Sequence, residues 1–307
     1  MVPKPLTVAS IGNLTLDHLL FVESLPALDE VALINREQEC LGGRGAIVAL
    51  ILASLGVPVF LCTAVGGLMD SDAIGFLKKS GVNTDCINVE STPVTTSEVF
   101  IAIGHEQKNC VSFFLPKQLS FTPSPNQKSV ISSADILYFT THDLSFNLHL
   151  LEGVQDKFVV HNFSRHMLAH PGYLAAIIQS ASIIVANADD FEALLKQLTI
   201  KTPTELIRLA PRLGCIVLTK GEFGAHIWTG SEDHIIPAMS TEVVAPVGLG
   251  DAFAAGILYG TAYHLPITTS ARIGNALAAE SAASQLTYPV LENLKARISF
   301  KVGIDLP

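Results

Sequence analysis

The sequence predicts an α/β fold in which a mostly parallel central sheet lies between helices, with a small accessory β-sheet beside it. Segments typical of helices alternate with segments typical of strands over most of the chain after Gly43, and this alternation is typical of parallel sheets. Two stretches, near residues 13–40 and 95–115, depart from the alternation and indicate strands outside the main sheet. A chain of 307 residues, 49% of them hydrophobic, can build the core of one large domain.

The N-terminal part of the chain predicts one strand of the main sheet and then two accessory strands. "LTVASIG" indicates the first, and "NLTLDHLLFVESLP" and "EVALINREQECLGG" indicate the others. The stretch from Gly45 to Met69 has no charged residue, and its length is that of a membrane span. Gly56 and Pro58 interrupt it, so we prefer a buried helix, "AIVALILASLG", followed by a buried strand, "VFLCTAVG".

The remaining elements continue the alternation apart from one hairpin. "SDAIGFLKKSG" predicts a helix and "DCINV" a strand, and residues 95–115 predict two strands around a polar turn at 106–109. Strands then follow in "ADILYFT", "KFVVHNF", "SIIVAN" and "GCIVLTKG", with helices between them and from Asp251 onward. The two accessory stretches are expected to form one small sheet that closes over a ligand at the carboxyl ends of the main strands.

Charge and cysteine content limit the classes of partner. The net charge is −9, the pI is about 5.5, and no Lys/Arg-rich run is present. We therefore expect no nucleic-acid partner and no membrane partner. The five cysteines are scattered, without the spacing of a zinc site. The first residues lack the apolar run of a signal peptide, so a cytoplasmic location is predicted.

The stretch "VGLGDAFAAG" (247–256) predicts an anion-binding loop at the start of a helix. Gly248, Leu249 and Gly250 can expose backbone N–H groups where the helix near Asp251 begins, and its dipole favours negative charge there. A carboxylate in that place can accept a proton from a hydroxyl that attacks a γ-phosphate. On this motif alone, the alternative that Asp251 merely caps the helix stays open.

Two further motifs lie near the N-terminus. Gly42 and Gly43 precede the buried helix, and Asn13 and Asp17 follow the first strand, where they can bind sugar hydroxyls. Each motif also has a simpler interpretation. The glycines can form a tightly packed loop, and the two polar residues can be ordinary turn residues.

In order and separation, these motifs resemble those of the PfkB, or ribokinase-like, carbohydrate and nucleoside kinases over nearly the whole chain. The resemblance also includes "VANADDFEALL", "VLTKGEFGAHIW" and "IGNALAAESAA". It implies a single three-layer α/β/α ribokinase-like domain over residues 1–307 with a small β-sheet lid, and ATP with Mg²⁺ as phosphoryl donor.

The resemblance also implies a role for each motif. Asp251 is the expected general base, and the backbone amides of Gly248, Leu249 and Gly250 form the expected anion hole. The residues expected to bind the acceptor are Asn13, Asp17, Gly42 and Gly43. Those expected to contact the nucleotide are Asn187, Thr219, Lys220, Gly221 and Asn275, with Asp190 at the metal.

Several positions depart from the family pattern. Ala245 and Pro246 stand where the family has an acid and a threonine before the glycine loop, Ile47 replaces an Asn, and Asp190 replaces a Glu. The base and the anion hole are retained, and losing a positioned base costs about 10²- to 10⁴-fold in rate. We therefore expect an active kinase, while a non-catalytic relative that binds a nucleotide or sugar stays the alternative.

The acceptor and the oligomeric state are less defined by the motifs. We expect a sugar acceptor, with a nucleoside as the alternative within the same family. The accessory strands also predict a homodimer through the lid, because exposed strand edges tend to pair. The sequence lacks G-x-x-x-x-G-K-[ST], G-x-G-x-x-G, G-x-S-x-G and H-E-x-x-H, the motifs of four other enzyme classes.

Overall fold

A computed structural model describes residues 4–66, 71–89, 98–104, 110–115, 122–140, 144–151, 154 and 156–307. Within these residues the strands are β1 (Val8–Ile11), β2 (Thr15–Val22), β3 (Ile34–Gly42), β4 (Val59–Val65), β5 (Ile87–Val89), β6 (Glu98–Ile103), β7 (Cys110–Leu115), β8 (Ile136–Phe139), β9 (Phe158–Asn162), β10 (Ile183–Asn187), β11 (Cys215–Thr219), β12 (Ala225–Thr229) and β13 (Asp233–Ile236).

Helices separate most of the parallel strands of the described residues, whereas β5 to β7 and β11 to β13 follow one another without an α-helix between them. The helices are α1 (Arg44–Ser54), α2 (Ser71–Lys79), α3 (Pro125–Ser133), α4 (Leu144–Leu151), α5 (Pro171–Ser180), α6 (Ala188–Leu198), α7 (Pro203–Leu209), α8 (Leu249–Ala262), α9 (Ile267–Ala282) and α10 (Leu294–Val302). Two short 3-10 helices, Arg165–Ala169 and Gly221–Phe223, lie at the ends of β9 and β11. None of the helices described is both long and apolar enough to cross a membrane.

The central sheet has the strand order β13-β12-β11-β10-β9-β8-β1-β4-β5. From β11 to β5 every neighbouring pair is parallel, and β12 and β13 add an antiparallel edge. The predicted mostly parallel sheet is therefore confirmed. The charge-free stretch forms α1 and β4, joined by a turn at Gly56 and Pro58, and not a membrane span.

Helices cover both faces of this sheet because successive strand residues point to opposite sides. Val8 and Ile136 belong to a core cluster with α1, α8, α9 and α10. Their neighbours Ala9 and Leu137 belong to a second cluster with α3 and α4, while α5, α6 and α7 pack on residues of β10 and β11. The three-layer α/β/α arrangement follows from this alternation.

The two accessory stretches form one small sheet, as predicted, with the order β3-β2-β6-β7. β2 runs antiparallel to β3 and parallel to β6, and β7 returns antiparallel to β6. The inner face packs through Leu19, Cys40, Ile101 and Ile103 against Ala245 of the main domain. The predicted polar turn at 106–109 lies outside the described residues. A single-domain organisation, movement of this sheet as a lid and a dimer through it stay predictions.

Candidate active site

The glycine loop before α8 is held in a conformation that only glycine adopts readily. Gly248 is the N-cap of α8 with φ 72°, and a Cβ there would lie 1.9 Å from the backbone oxygen of Thr287. Helix α8 therefore begins at Leu249, two residues before the start predicted from the sequence. The first helical bond runs from the N–H of Ala252 to the Gly248 oxygen at 2.9 Å. The preceding N–H groups have no acceptor within the helix, so this end favours an anion.

Asp251 lies in the first turn of α8 and is buried. Its Oδ1 accepts a hydrogen bond from Nε of Arg44 at 3.1 Å and lies 3.5 Å from Nδ2 of Asn162. Burial raises the pKa of Asp251, and the positive charge and hydrogen bond of Arg44 act against that rise. The result is a carboxylate with a raised affinity for a proton that a neighbouring cation helps to keep ionised, which is the property of a general base.

Asp17 is the second buried carboxylate of this region, on β2. Thr15 Oγ1 donates a hydrogen bond to its Oδ1 at 2.6 Å. Burial raises the pKa of Asp17 to about 6, Thr15 opposes that rise, and the negative charge of Asp251 adds to it. The negative charge of Asp251 therefore acts on Asp17, although the two residues belong to different elements.

Glycines make room for the Asp17 carboxyl and for the loop after β1. A Cβ on Gly42 would lie 1.9–2.1 Å from the carboxyl atoms of Asp17. Gly43 has φ 92°, and a Cβ there would lie 2.4 Å from the backbone oxygen of Asn13. That oxygen accepts a hydrogen bond from the N–H of Ala46 in α1 at 3.1 Å. The structure thus brings all four residues expected at the acceptor into one cluster.

The residues expected at the nucleotide lie at the carboxyl ends of β10 and β11. Asn187 and Thr219 are partners in the parallel register of these strands. Asn187 also caps α6, since its Oδ1 accepts from the N–H of Asp190 at 2.7 Å, while its Nδ2 donates to Asp190 Oδ2 at 3.0 Å. This edge of a parallel sheet is where α/β proteins bind ligands.

Lys220, Gly221 and Asn275 lie around the loop between β11 and β12. The N–H of Lys220 donates to the oxygen of Gly224 at 2.7 Å, and Gly221 has φ 55°. Asn275 is buried in α9, and its Nδ2 donates to the oxygens of Ile236 and Pro237 at 3.3 and 2.7 Å. The structure therefore gives Asn275 a role in holding the chain after β13, and its contact with a nucleotide stays a prediction.

Asp190 has the features of a ligand for hydrated magnesium. Its carboxylate lies at the strand ends, 3.4 Å from Nε of the largely exposed Arg165. Mg²⁺ usually keeps several waters and binds one or two carboxylates together with substrate phosphates. A single carboxylate is compatible with that mode, although both of its oxygens have a partner in this structure, Arg165 for Oδ1 and Asn187 Nδ2 for Oδ2; the metal at Asp190 stays a prediction.

Sequence reasoning missed the groups that contact Asp251. Arg44 is the last charged residue before the charge-free stretch, and a charge at the start of a buried helix needs a partner; that was the available signal. Asn162 ends β9, and its Nδ2 donates to the hydroxyl of Tyr138 at 2.8 Å. Asn162 could have been found from the sequence as a polar residue at the carboxyl end of a predicted parallel strand.

Two departures from the expected pattern are filled by apolar packing. Ile47 is buried in α1 within the main core, and Ala245 is buried against the inner face of the small sheet. Neither position offers a polar side chain to a ligand. Asn13 and Asp17 are therefore the polar side chains predicted at the acceptor, and their contact with it stays a prediction.

Comparison with known proteins identifies the class of enzyme. The profile of the pfkB family carbohydrate kinases matches residues 6–294. The chain belongs to this family. The protein is accordingly a phosphotransferase that acts on a hydroxyl group, and the resemblance inferred from its motifs is confirmed.

Relatives of this pfkB-family kinase include nucleoside and sugar kinases. It is 24% identical to a nucleoside kinase of Methanothermobacter thermautotrophicus, over 97% of each chain. It is 25% identical to a ribokinase of Bacillus subtilis, over 90% of this chain and 93% of the relative. The structure of a Burkholderia thailandensis nucleoside kinase with inosine superposes with a TM-score of 0.82 at 18% identity, covering 97% of this chain and 98% of that one. These likenesses confirm the ribokinase-like fold.

Proposed function

We propose that this protein transfers the γ-phosphoryl group of ATP to a hydroxyl of a ribose-type sugar, with Asp251 as general base. The observation that carries this proposal is a buried carboxylate in the first turn of α8, directly after the glycine N-cap. The backbone N–H groups of Leu249 and Gly250 face the same helix end, and the negative charge of Asp251 acts on Asp17. Proton acceptor, anion hole and acceptor-binding carboxylate are thus close together.

Each of these groups has a distinct task in the proposed transfer. Asp17 accepts a hydrogen bond from the sugar and orients the reacting hydroxyl, whose proton passes to Asp251 as its oxygen bonds to the γ-phosphorus and the bond to the ADP oxygen breaks. The amides at the start of α8 and the Arg44 guanidinium stabilise negative charge on the transferred group. Mg²⁺, held by Asp190 through its water shell, would neutralise phosphate charge.

A nucleoside is the acceptor that the combined observations support best, although the motifs alone favoured a free sugar. On the inner face of the small sheet the residues around Asp17 are apolar: Val99, directly opposite Asp17 on β6, is partly buried, and Leu19, Ile101 and Ile103 are buried against the main domain. An apolar cover suits a nucleobase, whereas a free sugar offers hydroxyls that need polar partners. Nucleoside kinases among the relatives, spanning nearly the whole chain, agree with this choice.

A panel of acceptors tests the proposal. We expect ADP release from ATP with adenosine, inosine or cytidine to exceed that with ribose, fructose or ketodeoxygluconate. A response to free sugars alone would restore the sugar preference of the motifs. Thermal stabilisation by nucleotide without ADP release from any acceptor would instead support the non-catalytic alternative.

Replacing Arg44 with Met is expected to move the acid limb of the pH profile of kcat/KM, which reports ionisation in the free enzyme, to higher pH. The base must be ionised, so activity falls as pH drops through the pKa of Asp251. The Arg44 charge holds that pKa down against burial, so its loss raises the pKa and the fall begins at higher pH. Arg208→Met is the matched control, because Arg208 is exposed on α7 and is not among the charges that act on Asp251; its acid limb should stay at the pH of the parent. An acid limb at the same pH in parent and Arg44→Met contradicts this assignment.

A further inference from the structure

Three side chains of types that bind metals in other proteins meet on the face of the small sheet opposite to the one that carries Asp17. His18 Nδ1 lies 3.2 Å from Glu37 Oε1 and 3.5 Å from Glu39 Oε1. The three ligand atoms lie within 4.8 Å of one another, and they form the one such group of three found among the described residues.

The register of β2 and β3 explains why they meet. His18 is directly opposite Glu39, and the next residue on that face, Leu20, is opposite Glu37. Because side chains alternate along a strand, His18, Glu37 and Glu39 share one face, whereas Asp17 projects from the other. Two ligands at positions i and i+2 of one strand and a third on its neighbour are therefore held by the sheet itself.

The separations match those of a tetrahedral ion. Zn²⁺ bonds to imidazole nitrogen and carboxylate oxygen are about 2.0–2.2 Å long, which puts neighbouring ligand atoms roughly 3.3–3.5 Å apart. The two distances from His18 Nδ1, 3.2 and 3.5 Å, are within about 0.1 Å of this range. The two carboxylate oxygens lie within 4.8 Å of each other, and a cation between them would offset the repulsion of their negative charges.

The histidine is fixed while the rest of the group remains open. The His18 ring stacks on Phe100 of β6, with centroids 4.5 Å apart and an angle of 9° between the planes. Its side chain is 11% exposed, compared with 53% for Glu37 and 62% for Glu39. The group therefore offers a metal one oriented imidazole nitrogen and two carboxylates that can adjust their positions. It is open to solvent, so water can complete the coordination.

We propose that His18, Glu37 and Glu39 form a binding site for a divalent transition-metal ion, with Zn²⁺ as the best match. With neutral imidazole the three ligands carry two negative charges, which one divalent ion balances, and the mixed nitrogen and oxygen set suits zinc better than magnesium. The ion joins β2 to β3, the strands that carry Asp17 and Gly42. The site is independent of the proposed kinase function.

Metal titration of the whole chain without nucleotide tests this site. The metal-stripped protein is titrated with Zn²⁺ by calorimetry and with Co²⁺ by visible absorption, which reports the ligand geometry. We expect one ion per chain, affinity lowered about tenfold or more in Glu37→Gln and in Glu39→Gln, and no binding in the double variant. Both glutamates are exposed, so these isosteric changes leave the fold intact.

A second histidine pair supplies the control. His234 lies 3.1 Å from Glu232, and no third ligand of this kind joins them among the residues that the structure describes, so His234→Gln should keep the affinity and stoichiometry of the parent. Loss of binding in His234→Gln, equal affinities in the parent and either Glu variant, or no stoichiometric binding to the parent would each overturn the proposal.

Discussion

Asp251→Asn is expected to lower kcat by at least about 10²- to 10⁴-fold while leaving the affinity for nucleotide and acceptor nearly unchanged. The amide keeps the size and one hydrogen-bond acceptor of the carboxylate, so the contact with Arg44 Nε at 3.1 Å can persist. It cannot take up the proton of the attacking hydroxyl. ADP release under saturating substrates gives kcat, and calorimetry on the same preparations gives the binding constants.

The control for this variant is Asp189→Asn. Asp189 is also an acid in the first turn of a helix at the carboxyl edge of the sheet, but its side chain is exposed on α6. The kcat of Asp189→Asn should match that of the parent. A melting temperature for Asp251→Asn close to that of the parent excludes loss of fold as the cause. Equal kcat in Asp251→Asn and the parent would refute the assigned base.

Local patterns were sufficient for the elements and for their order along the chain. The alternation of apolar helices and strands predicts a parallel sheet, since each strand must return to the same edge through a crossover. The small sheet was also predictable, because residues 13–40 and 95–115 break the alternation and each leaves a hydrophobic strand face to be covered. β2 pairing with β6 meets that requirement.

Contacts between distant segments were not predictable from the same patterns. Arg44 and Asp251 are 207 positions apart, and nothing in either local sequence specifies the other as partner. Their approach depends on α1 packing beside α8 on one face of the sheet. The raised pKa of Asp17 likewise depends first on how deeply the small sheet buries it. The residue types of the site could therefore be predicted from local sequence, whereas the pKa shifts of its carboxylates could not, because they depend on tertiary packing.

Asn275 shows the limit of carrying a role over from a motif. An amide has two donor hydrogens and one acceptor oxygen, so the residue type fits both a ligand and a backbone contact. In the structure its nitrogen donates to the carbonyls of Ile236 and Pro237. It supports the chain beside a predicted nucleotide position, and an effect of its substitution on nucleotide affinity need not require direct contact.

Gly248→Ala is expected to damage both stability and turnover. A left-handed residue other than glycine costs roughly 1–2 kcal/mol, and overpacking adds about 1–3 kcal/mol, so the free energy of unfolding should fall by about 2–5 kcal/mol. The new Cβ would meet the Thr287 oxygen at 1.9 Å. Thr287 Oγ1 also donates to the oxygen of Leu41 at 3.0 Å, so a shift of Thr287 reaches the residue beside Gly42. Denaturant unfolding measures the stability, and ADP release measures the displacement of the anion hole.

Gly250→Ala tests whether the positive φ of Gly248, and not merely the lack of a side chain near the start of α8, determines the effect of Gly248→Ala. A Cβ on Gly250 has nothing within 4 Å and its φ is not positive, so alanine in this first turn should retain or slightly raise stability by its higher helix propensity. The comparison is therefore made between the N-cap glycine of α8 and a glycine two positions later in its first turn. If both variants unfold at the same denaturant concentration as the parent, the left-handed N-cap is not what positions α8, and the geometry assigned to the anion hole is wrong.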